Sequence, residues 1–209
     1  MRFASYFCIA ITIMIFSCEA LGSNINNDLL LSIKGDKLKK FQQLLLDGAD
    51  PNYSDEKDDP KNRPVVMEQA AVHENPMFLQ LCLEHGANPD TLDGYKSSPV
   101  IIEAAKHSRL ANVKLLVKHG ANFNLQNKSG NTPLHLAIAV KNYDIAHFLV
   151  LSGASLKIEN KWGYTPVEQL EKFGDAGVKK GSKYYEWYIK FVALVNKKNT
   201  IQGNYKWDV

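Results

Sequence analysis

Histidines are the residues of this sequence best suited to acid–base or metal chemistry. The six are His73, His85, His107, His119, His135 and His147. No two of them have the spacing of the H-E-x-x-H motif or of another compact metal-binding motif. His85 and His119 each precede a Gly-Ala dipeptide, where a polar or cationic side chain favours the end of a helix. The histidine pattern therefore predicts structural positions and no metal site.

Cysteine and glycine motifs do not indicate an active site either. The three cysteines are too few for a disulfide framework, and none has C-x-x-C spacing. Cys82 lies in the apolar run from Phe78 to Leu83, so we expect a small core residue. The sequence has no G-x-S-x-G motif, no P-loop and no dinucleotide-binding fingerprint. We predict a protein that is not an enzyme and needs neither cofactor nor metal.

The densest group of charges is an acidic segment formed by Asp55, Glu56, Asp58 and Asp59. It lacks the glycine turn and the terminal glutamate of a calcium-binding EF-hand. A solvated acidic loop is one interpretation, and a surface that attracts a basic partner is the other. Lys and Arg number 25 against 22 Asp and Glu, a formal net charge of +3 that is scattered along the chain. This charge pattern argues against a nucleic-acid partner.

The N-terminus has the features of a signal peptide. An uncharged run extends from Phe3 to Cys18 and follows Arg2. A transmembrane helix needs about 20 apolar residues, so the run is short for a permanent span. We interpret residues 1–18 as a signal peptide with its apolar region at Ile9 to Phe16, and residues 19–26 as a linker.

Two cleavage sites remain open. Residues 15–18 resemble a bacterial lipobox, in which Cys18 is lipidated and becomes the new N-terminus, although Phe16 stands where a smaller residue is usual. The alternative is ordinary cleavage after Ala20 or Gly22. Under the first interpretation Glu19 follows the lipidated cysteine, which favours an outer-membrane anchor. We therefore predict a periplasmic, lipid-anchored protein, with a soluble periplasmic or secreted protein as the alternative.

Two sequence markers recur at nearly constant intervals through the rest of the chain. Gly-Ala pairs begin at positions 48, 86, 120 and 153, and prolines stand at positions 64, 99, 133 and 166. Apolar stretches of helical spacing precede the Gly-Ala pairs, so each glycine is expected to end a helix and each proline to begin one. The shared period of the two markers, roughly 34 residues, predicts a tandem repeat array.

The best unit contains Thr132-Pro133-Leu134-His135-Leu136-Ala137, which matches the T-P-L-H-x-A signature and resembles the ankyrin repeat. Weaker copies begin at Arg63, Ser98 and Thr165. The resemblance implies an all-α solenoid of about five helix–turn–helix units with β-turn fingers. It also implies that His135 hydrogen-bonds within the finger network.

We predict units at about 27–52, 53–90, 91–124, 125–157 and 158–199, followed by a tail at 200–209. The last helix, about Ser182 to Lys198, is expected to cap the array after an insertion from Gly174 to Lys183. The residues expected to be buried are Leu44, Leu115, Leu116, Phe148 and Leu149.

The resemblance also implies a concave partner-binding face, lined by the fingers and by the first helix of each unit. Exposed aromatic residues on such a face are typical interface anchors. The predicted partner-binding residues are Asp55, Glu56, Asp58, Asp59, His73, Tyr95, Lys106, His107, Lys128, Ser129, Asn131, Val140, Lys161, Trp162, Tyr164 and Lys172.

An ankyrin array behind a lipoprotein-like signal resembles the immunity proteins that neutralise type VI secretion phospholipase effectors. This resemblance implies a monomer that binds a protein partner, a secreted lipase-type toxin, and blocks it. Two other classes stay open. One is a periplasmic adaptor for an envelope or oxidative-stress enzyme, and the other is a secreted effector that engages host proteins. The sequence does not identify the partner.

Overall fold

The computed structural model describes residues 25–55, 63–95, 97–173 and 180–201. The helices in these ranges are α1 (25–34), α2 (Leu38–Leu46), α3 (Val66–Val72), α4 (Met77–Glu84), α5 (Val100–Lys106), α6 (Leu110–Lys118), α7 (Pro133–Ala139), α8 (Tyr143–Ser152), α9 (Pro166–Phe173) and α10 (Lys183–Ile201). They form five consecutive pairs, and no strand forms within the described residues. The predicted all-α repeat array is confirmed. The proposed lipidation site Cys18 and the acidic residues Glu56, Asp58 and Asp59 lie outside the described residues.

The helix starts are more regular than the prolines that predict them. The second to fifth units begin their first helices at Val66, Val100, Pro133 and Pro166, and these starts are evenly spaced to within a single position. Pro133 and Pro166 occupy the first helical position, where a missing N–H costs nothing. Pro99, in contrast, is the N-cap of α5. The prolines of the earlier units stand just before the first helix, with Pro99 at the N-cap and Pro64 one residue before the N-cap Val65.

The units stack through two layers of helices. The first helices α3, α5, α7 and α9 pack on one another in sequence, as do the second helices α2, α4, α6, α8 and α10. Apolar side chains between the layers form one continuous core, in which the rings of Phe41 and Phe78 meet edge to face at 5.1 Å. Burial of this shared core stabilises units that could not bury their apolar faces alone.

The predicted burial is correct for three of the five residues. Leu116 and Leu149 are fully buried and Leu44 is almost so, whereas Leu115 and Phe148 are half-buried at the edge of the core. Leu115 and Phe148 pack against the core from its edge, and Phe148 also lies beside the exposed Lys114, whose Nζ is 5.7 Å from the ring centroid.

A ladder of side-chain hydrogen bonds joins each unit to the next. It follows every Gly-Ala pair, where a backbone N–H is donated to an Asn or Asp side chain. The acceptor belongs to the preceding unit in three cases and to α1 of the same unit in the first. The bonds are Asp50 N to Asn26 Oδ1 (2.7 Å), Asn88 N to Asn52 Oδ1 (2.8 Å), Asn122 N to Asp90 Oδ1 (2.8 Å) and Ser155 N to Asn124 Oδ1 (2.9 Å). These repeated bonds fix the relative position of the units.

Buried side chains also satisfy helix carbonyls across unit boundaries. The Asn112 Nδ2 group donates to the carbonyls of Ala71 and His73 at the end of α3, at 2.8 and 2.9 Å. The Asn142 Nδ2 group does the same for Ala105 at the end of α5, at 2.9 Å. The last carbonyls of a helix have no partner within it. The stack therefore supplies those partners from the next unit.

Candidate protein-binding surface

Four fingers connect the units: residues 47–65, 85–99, 119–132 and 153–165, described apart from 56–62 and residue 96. The Lys128 N–H of the third finger donates to the Ser97 carbonyl of the second at 2.9 Å. The Lys161 N–H of the fourth finger donates to the Ser129 carbonyl of the third at 3.1 Å. A Cβ at Gly130 would lie only 2.8 Å from Lys161 N, so a side chain there would push these fingers apart. The fingers thus form one continuous surface beside the first helices.

Each of the last three fingers turns around one acceptor side chain. Asn127 Oδ1 accepts the N–H groups of Ser129 and Asn131, and Asn160 Oδ1 accepts those of Trp162 and Tyr164. In the second finger the acceptor is a carboxylate. Asp93 Oδ1 accepts the N–H groups of Ser97 and Ser98 at 2.7 and 3.2 Å, and Oδ2 accepts the Ser97 hydroxyl at 2.8 Å.

The position two residues after this acceptor is the finger tip. It is occupied by Tyr95, Ser129 and Trp162 in the second, third and fourth fingers. The second finger is irregular, because Gly94 directly follows its acceptor, whereas Gly130 and Gly163 stand three residues after theirs. A Cβ there would lie 1.7 Å from the Arg63 carbonyl oxygen, so only glycine fits this contact with the first finger.

A groove of about 430 Å³ lies at the centre of the concave face. We call it the central groove. It is lined by Glu68, Asp93, Tyr95, Ser97, Ser98, Glu103, Lys106, His107, Asn127, Lys128 and Ser129. The structure therefore brings together five of the predicted site residues from one helix and two fingers: Tyr95, Lys106, His107, Lys128 and Ser129.

Sequence reasoning missed the three carboxylates that line the central groove, Glu68, Asp93 and Glu103, which we call the acidic floor. Glu103 lies one helical turn before Lys106, and its Oε2 is 3.1 Å from the Lys106 Nζ. Glu68 Oε2 accepts the Gly94 N–H at 3.0 Å. Counting concave positions one turn back from Lys106 would have found Glu103. The contact of Glu68 with Gly94 depends on the irregular second finger, and no sequence spacing indicates it.

Electrostatics set the acidic floor apart from the rest of the concave face. Burial raises the pKa of Glu68, and the nearby carboxylates of Asp93 and Glu103 raise it further. The hydrogen bond from Gly94 and the charge of Lys106 oppose this increase but do not cancel it. Burial, with a smaller contribution from the two neighbouring carboxylates, thus raises the pKa of Glu68 and disfavours its ionisation.

An aromatic cluster occupies the C-terminal end of the concave face. It consists of Trp162 at the tip of the fourth finger, Tyr164 in the same finger, and Lys172 and Phe173 at the end of α9. Lys172 Nζ lies 4.8 Å from the Tyr164 ring centroid and donates to its hydroxyl oxygen, and the rings of Tyr164 and Phe173 meet edge to face at 6.3 Å. Trp162 is 64% exposed and Phe173 is 49% exposed. Large apolar side chains are therefore grouped on this surface without a core to fill.

A model of ankyrin repeats, described as three copies, matches residues 29–127 and 67–160. The chain belongs to the ankyrin-repeat family. Ankyrin repeat protein B18 of vaccinia virus (strain Ankara) and of variola virus is 30% identical over 104 residues. That match covers 50% of this chain and 14% of each viral protein. Cyclin-dependent kinase 4 inhibitor B of Rattus norvegicus is 29% identical over 129 residues, which are 62% of this chain and 95% of that protein.

Membership of this family indicates protein–protein interaction, because ankyrin-repeat proteins are typically non-catalytic adaptors or inhibitors. Among the described residues, no group of three or more His, Cys, Asp or Glu is arranged to hold a metal ion. No described helix is long and apolar enough to cross a membrane. Cys82 is buried in the core, and burial raises the pKa of its thiol.

The remaining predicted residues of the ankyrin array lie apart from the central groove. His73 is half-buried between the first two units, where its Nε2 is 3.8 Å from Asp36 Oδ1 and its ring is 4.6 Å from that of Phe78. The Asn131 Oδ1 accepts a hydrogen bond from the Asn160 side chain at 3.0 Å, so this residue supports the fingers. Val140 and Lys161 are exposed, and Asp55 is the described member of the acidic segment.

Proposed function

We propose that this chain is a non-catalytic inhibitor that binds a protein toxin on its concave face and blocks the toxin's active site. The class of toxin that we propose is a periplasm-active phospholipase effector delivered by type VI secretion. The observation that carries the proposal is the exposed aromatic cluster at the C-terminal end of the concave face. Aromatic residues without a core to fill are the usual anchors of a protein interface.

The stiffness of the array supports inhibition by occlusion. The fingers are hydrogen-bonded to one another, and the Asn and Asp ladder fixes each unit against the next. A surface that is already ordered loses little conformational freedom on binding, so more of the contact free energy remains as affinity.

One relative also supports an inhibitory role. The rat relative is by name an inhibitor of cyclin-dependent kinase 4, and the alignment covers 95% of its length. The alignment with this chain spans 129 residues and so covers nearly the whole of a protein that is named as an inhibitor. For this chain we propose a toxin rather than a kinase as the partner, because the signal peptide predicts a periplasmic protein.

We further propose that Cys18 anchors the inhibitor by a lipid at the periplasmic side of the outer membrane. The chain from Cys18 to Asn27 spans at most about 30 Å when extended. The array would then stay close to the bilayer surface that a phospholipase must reach. Anchoring would raise the effective concentration of the inhibitor at that surface, and this would increase the fraction of toxin that is bound.

Co-expression tests the inhibitor. A phospholipase effector of type VI secretion is directed to the periplasm with and without this chain. We expect cells to grow only when the chain is present, and purified chain to abolish the lipase activity on phospholipid vesicles. Growth arrest and full lipase activity in the presence of folded chain would refute the proposal. Increased activity of a neighbouring oxidative-stress enzyme would support the adaptor class instead.

Fractionation tests the anchor. In Cys18→Ala we expect the chain to move from the membrane to the soluble periplasmic fraction, because the acyl chains are its only proposed anchor. An intact mass of the wild-type protein that begins at Leu21, without lipid, would refute the lipoprotein proposal. It would leave the inhibitor proposal in place.

A further inference from the structure

We propose that the aromatic cluster is a receptor for one acidic segment of the protein partner, in which a carboxylate side chain stands beside an apolar one. This inference rests on the proposed function, because it names the chemistry that the concave face recognises. The ammonium group of Lys172 would bind the carboxylate, and the exposed rings of Trp162 and Phe173 would cover the apolar side chain.

The first argument is the position of the Lys172 ammonium group, which the cluster itself holds in place. Its Nζ donates to the Tyr164 hydroxyl oxygen and lies 4.8 Å from the Tyr164 ring centroid and 5.7 Å from that of Phe173. The hydrogen bond uses one of the three donors of an ammonium group. Lys172 is exposed, and it forms no ion pair with a carboxylate in the described part of the chain. A positive charge is therefore fixed on the surface with N–H donors available to an anion.

The second argument is that a second cation lies on the same face of the cluster. Lys161 directly precedes Trp162 at the tip of the fourth finger. It is exposed and, within the ranges that the structure describes, it has no ion-pair partner either. Lys172 occupies the position that Ala139 holds one repeat earlier, where the side chain is exposed at the end of α7. Both lysines thus stand beside the exposed rings on the concave face.

The carboxylates of the last unit face another direction. Gln126 and His135 each hydrogen-bond to the unit that follows theirs. Glu159 and Glu168 hold the same two positions one repeat later, and Glu171 follows Glu168 by one helical turn. These carboxylates therefore face the C-terminal end of the array. The concave face beside the aromatic cluster keeps its positive charge.

Charge complementarity and shape together select the partner. A cationic surface with exposed aromatic rings attracts a segment that carries carboxylates and apolar side chains. Phe173 lies at the far end of α9, roughly 10 Å along the helix from its start. A flat lipid bilayer would contact Trp162 at the finger tip and would not reach Phe173 inside the concave face. A peptide segment that lies across this face can contact both rings.

Titration of the isolated protein with short peptides tests the receptor without the toxin. The probe is acetyl-Gly-Glu-Leu-Phe-Glu-Gly-amide, followed by the amide signals of ¹⁵N-labelled protein. We expect the Trp162, Lys172 and Phe173 signals to shift, with a dissociation constant on the order of 1 mM. The matched peptide with Gln at both Glu positions has the same shape but no charge, and it should bind about tenfold more weakly. A peptide with Ala in place of Leu and Phe should also bind more weakly.

Variants locate the carboxylate to Lys172. Lys172→Gln keeps a donor for the Tyr164 hydroxyl but removes the charge, so the preference for the Glu peptide over the Gln peptide should be lost. A merely structural role of Lys172 would weaken both peptides equally and leave that preference unchanged. Lys161→Gln should reduce the preference as well, and it decides the question if Lys172→Gln does not fold. Lys118→Gln, at an exposed lysine of α6 in the layer of second helices, should bind like the wild type.

The outcomes separate this inference from the proposed function. Equal binding of the Glu and Gln peptides by the wild type, or an unchanged preference in folded Lys172→Gln, would overturn the receptor for an acidic segment. Binding of phosphatidylglycerol vesicles that is lost in Trp162→Ala, without binding of the Glu peptide, would overturn it in favour of a lipid surface. The co-expression assay measures inhibition of the toxin directly, so the proposed function can stand when the peptide fails. Peptide binding without protection from the toxin would refute only the proposed function.

Discussion

Truncation of the two exposed aromatic residues of the cluster, in Trp162→Ala combined with Phe173→Ala, should weaken partner binding at least 30-fold while the array stays folded. Aromatic anchors at an interface commonly cost about 2 kcal/mol or more when truncated, and 2 kcal/mol corresponds to about 30-fold in affinity. Both side chains are about half exposed or more, so little core packing is lost. Calorimetric titration with the purified toxin measures the affinity, and a urea unfolding curve measures the stability.

The structure offers a matched control on the opposite layer. Leu46 and Leu151 are 65% and 61% exposed on the second helices α2 and α8. Leu46→Ala combined with Leu151→Ala removes similar exposed apolar surface but leaves the concave face intact, so the affinity should stay at the wild-type value. Equal losses in both double variants would show that the concave face is not the binding surface. A loss of stability above about 1 kcal/mol in the aromatic variant would show that those rings pack the array.

Tyr164 is left out of this variant because the structure gives it a second role. Its ring and hydroxyl hold Lys172, and its backbone carbonyl accepts a hydrogen bond from His135. The sequence predicts an exposed anchor at this position, and the structure places the side chain half-buried. A substitution at Tyr164 would therefore mix a binding effect with a local packing effect.

The fold was predictable because its signals are local and repeated. Glycine at the end of each apolar stretch and proline near the start of the next helix recur at one period. Glycine can adopt the left-handed conformation that ends a helix, and proline lacks the N–H that has no partner in the first helical turn. The helices that these signals predict are present, including the C-terminal capping helix α10. The inter-unit ladder was missed, although its signal is in the sequence. An Asn, Asp or Ser follows every Gly-Ala pair, and an Asn or Asp stands two residues later in the first three.

The central groove was only half predictable, because the position of its carboxylates depends on contacts between neighbouring units. The rim residues stand at equivalent repeat positions, so counting from the Gly-Ala pairs finds Lys106 and Lys128. Glu68 belongs to α3 in the second unit. It contacts Gly94 only because the second finger packs closely on Arg63. The burial that raises the pKa of Glu68 is a property of packing, which spacing does not encode.

His135 is the side chain whose removal should cost the most stability among the polar residues of the array. It is fully buried, its Nδ1 accepts hydrogen bonds from the Thr132 N–H (3.2 Å) and hydroxyl (2.8 Å), and its Nε2–H donates to the Tyr164 carbonyl at 2.9 Å. This arrangement caps α7 and ties two fingers together. His135→Ala loses the cap, leaves buried polar groups unpaired and opens a cavity. We expect a decrease of about 3 to 4 kcal/mol in the free energy of unfolding.

Proton linkage gives this prediction a second, independent measurement. Burial lowers the pKa of His135 below its ordinary value, although the hydrogen bond to Tyr164 opposes the decrease. Above about pH 6.5 the side chain is neutral in both the folded and the unfolded chain, so its contribution to the free energy of unfolding is fully present. As the pH falls below 6.5 the unfolded chain takes up a proton before the folded chain does, and that contribution is lost. The stability difference between wild type and His135→Ala should therefore be largest above pH 6.5 and shrink towards pH 5.5.

Urea unfolding of both proteins between pH 7.5 and pH 5.5 measures this difference. His85→Ala and His119→Ala are the controls, because these exposed histidines end helices and bridge no fingers. Each should stay within about 0.5 kcal/mol of the wild type. A His135→Ala protein as stable as these controls would show that the hydrogen bonds of His135 do not stabilise the fingers. A stability difference that grows as the pH falls would mean that His135 is protonated in the folded chain. In that case Nδ1 would carry a proton and could accept a hydrogen bond from neither the Thr132 N–H nor its hydroxyl.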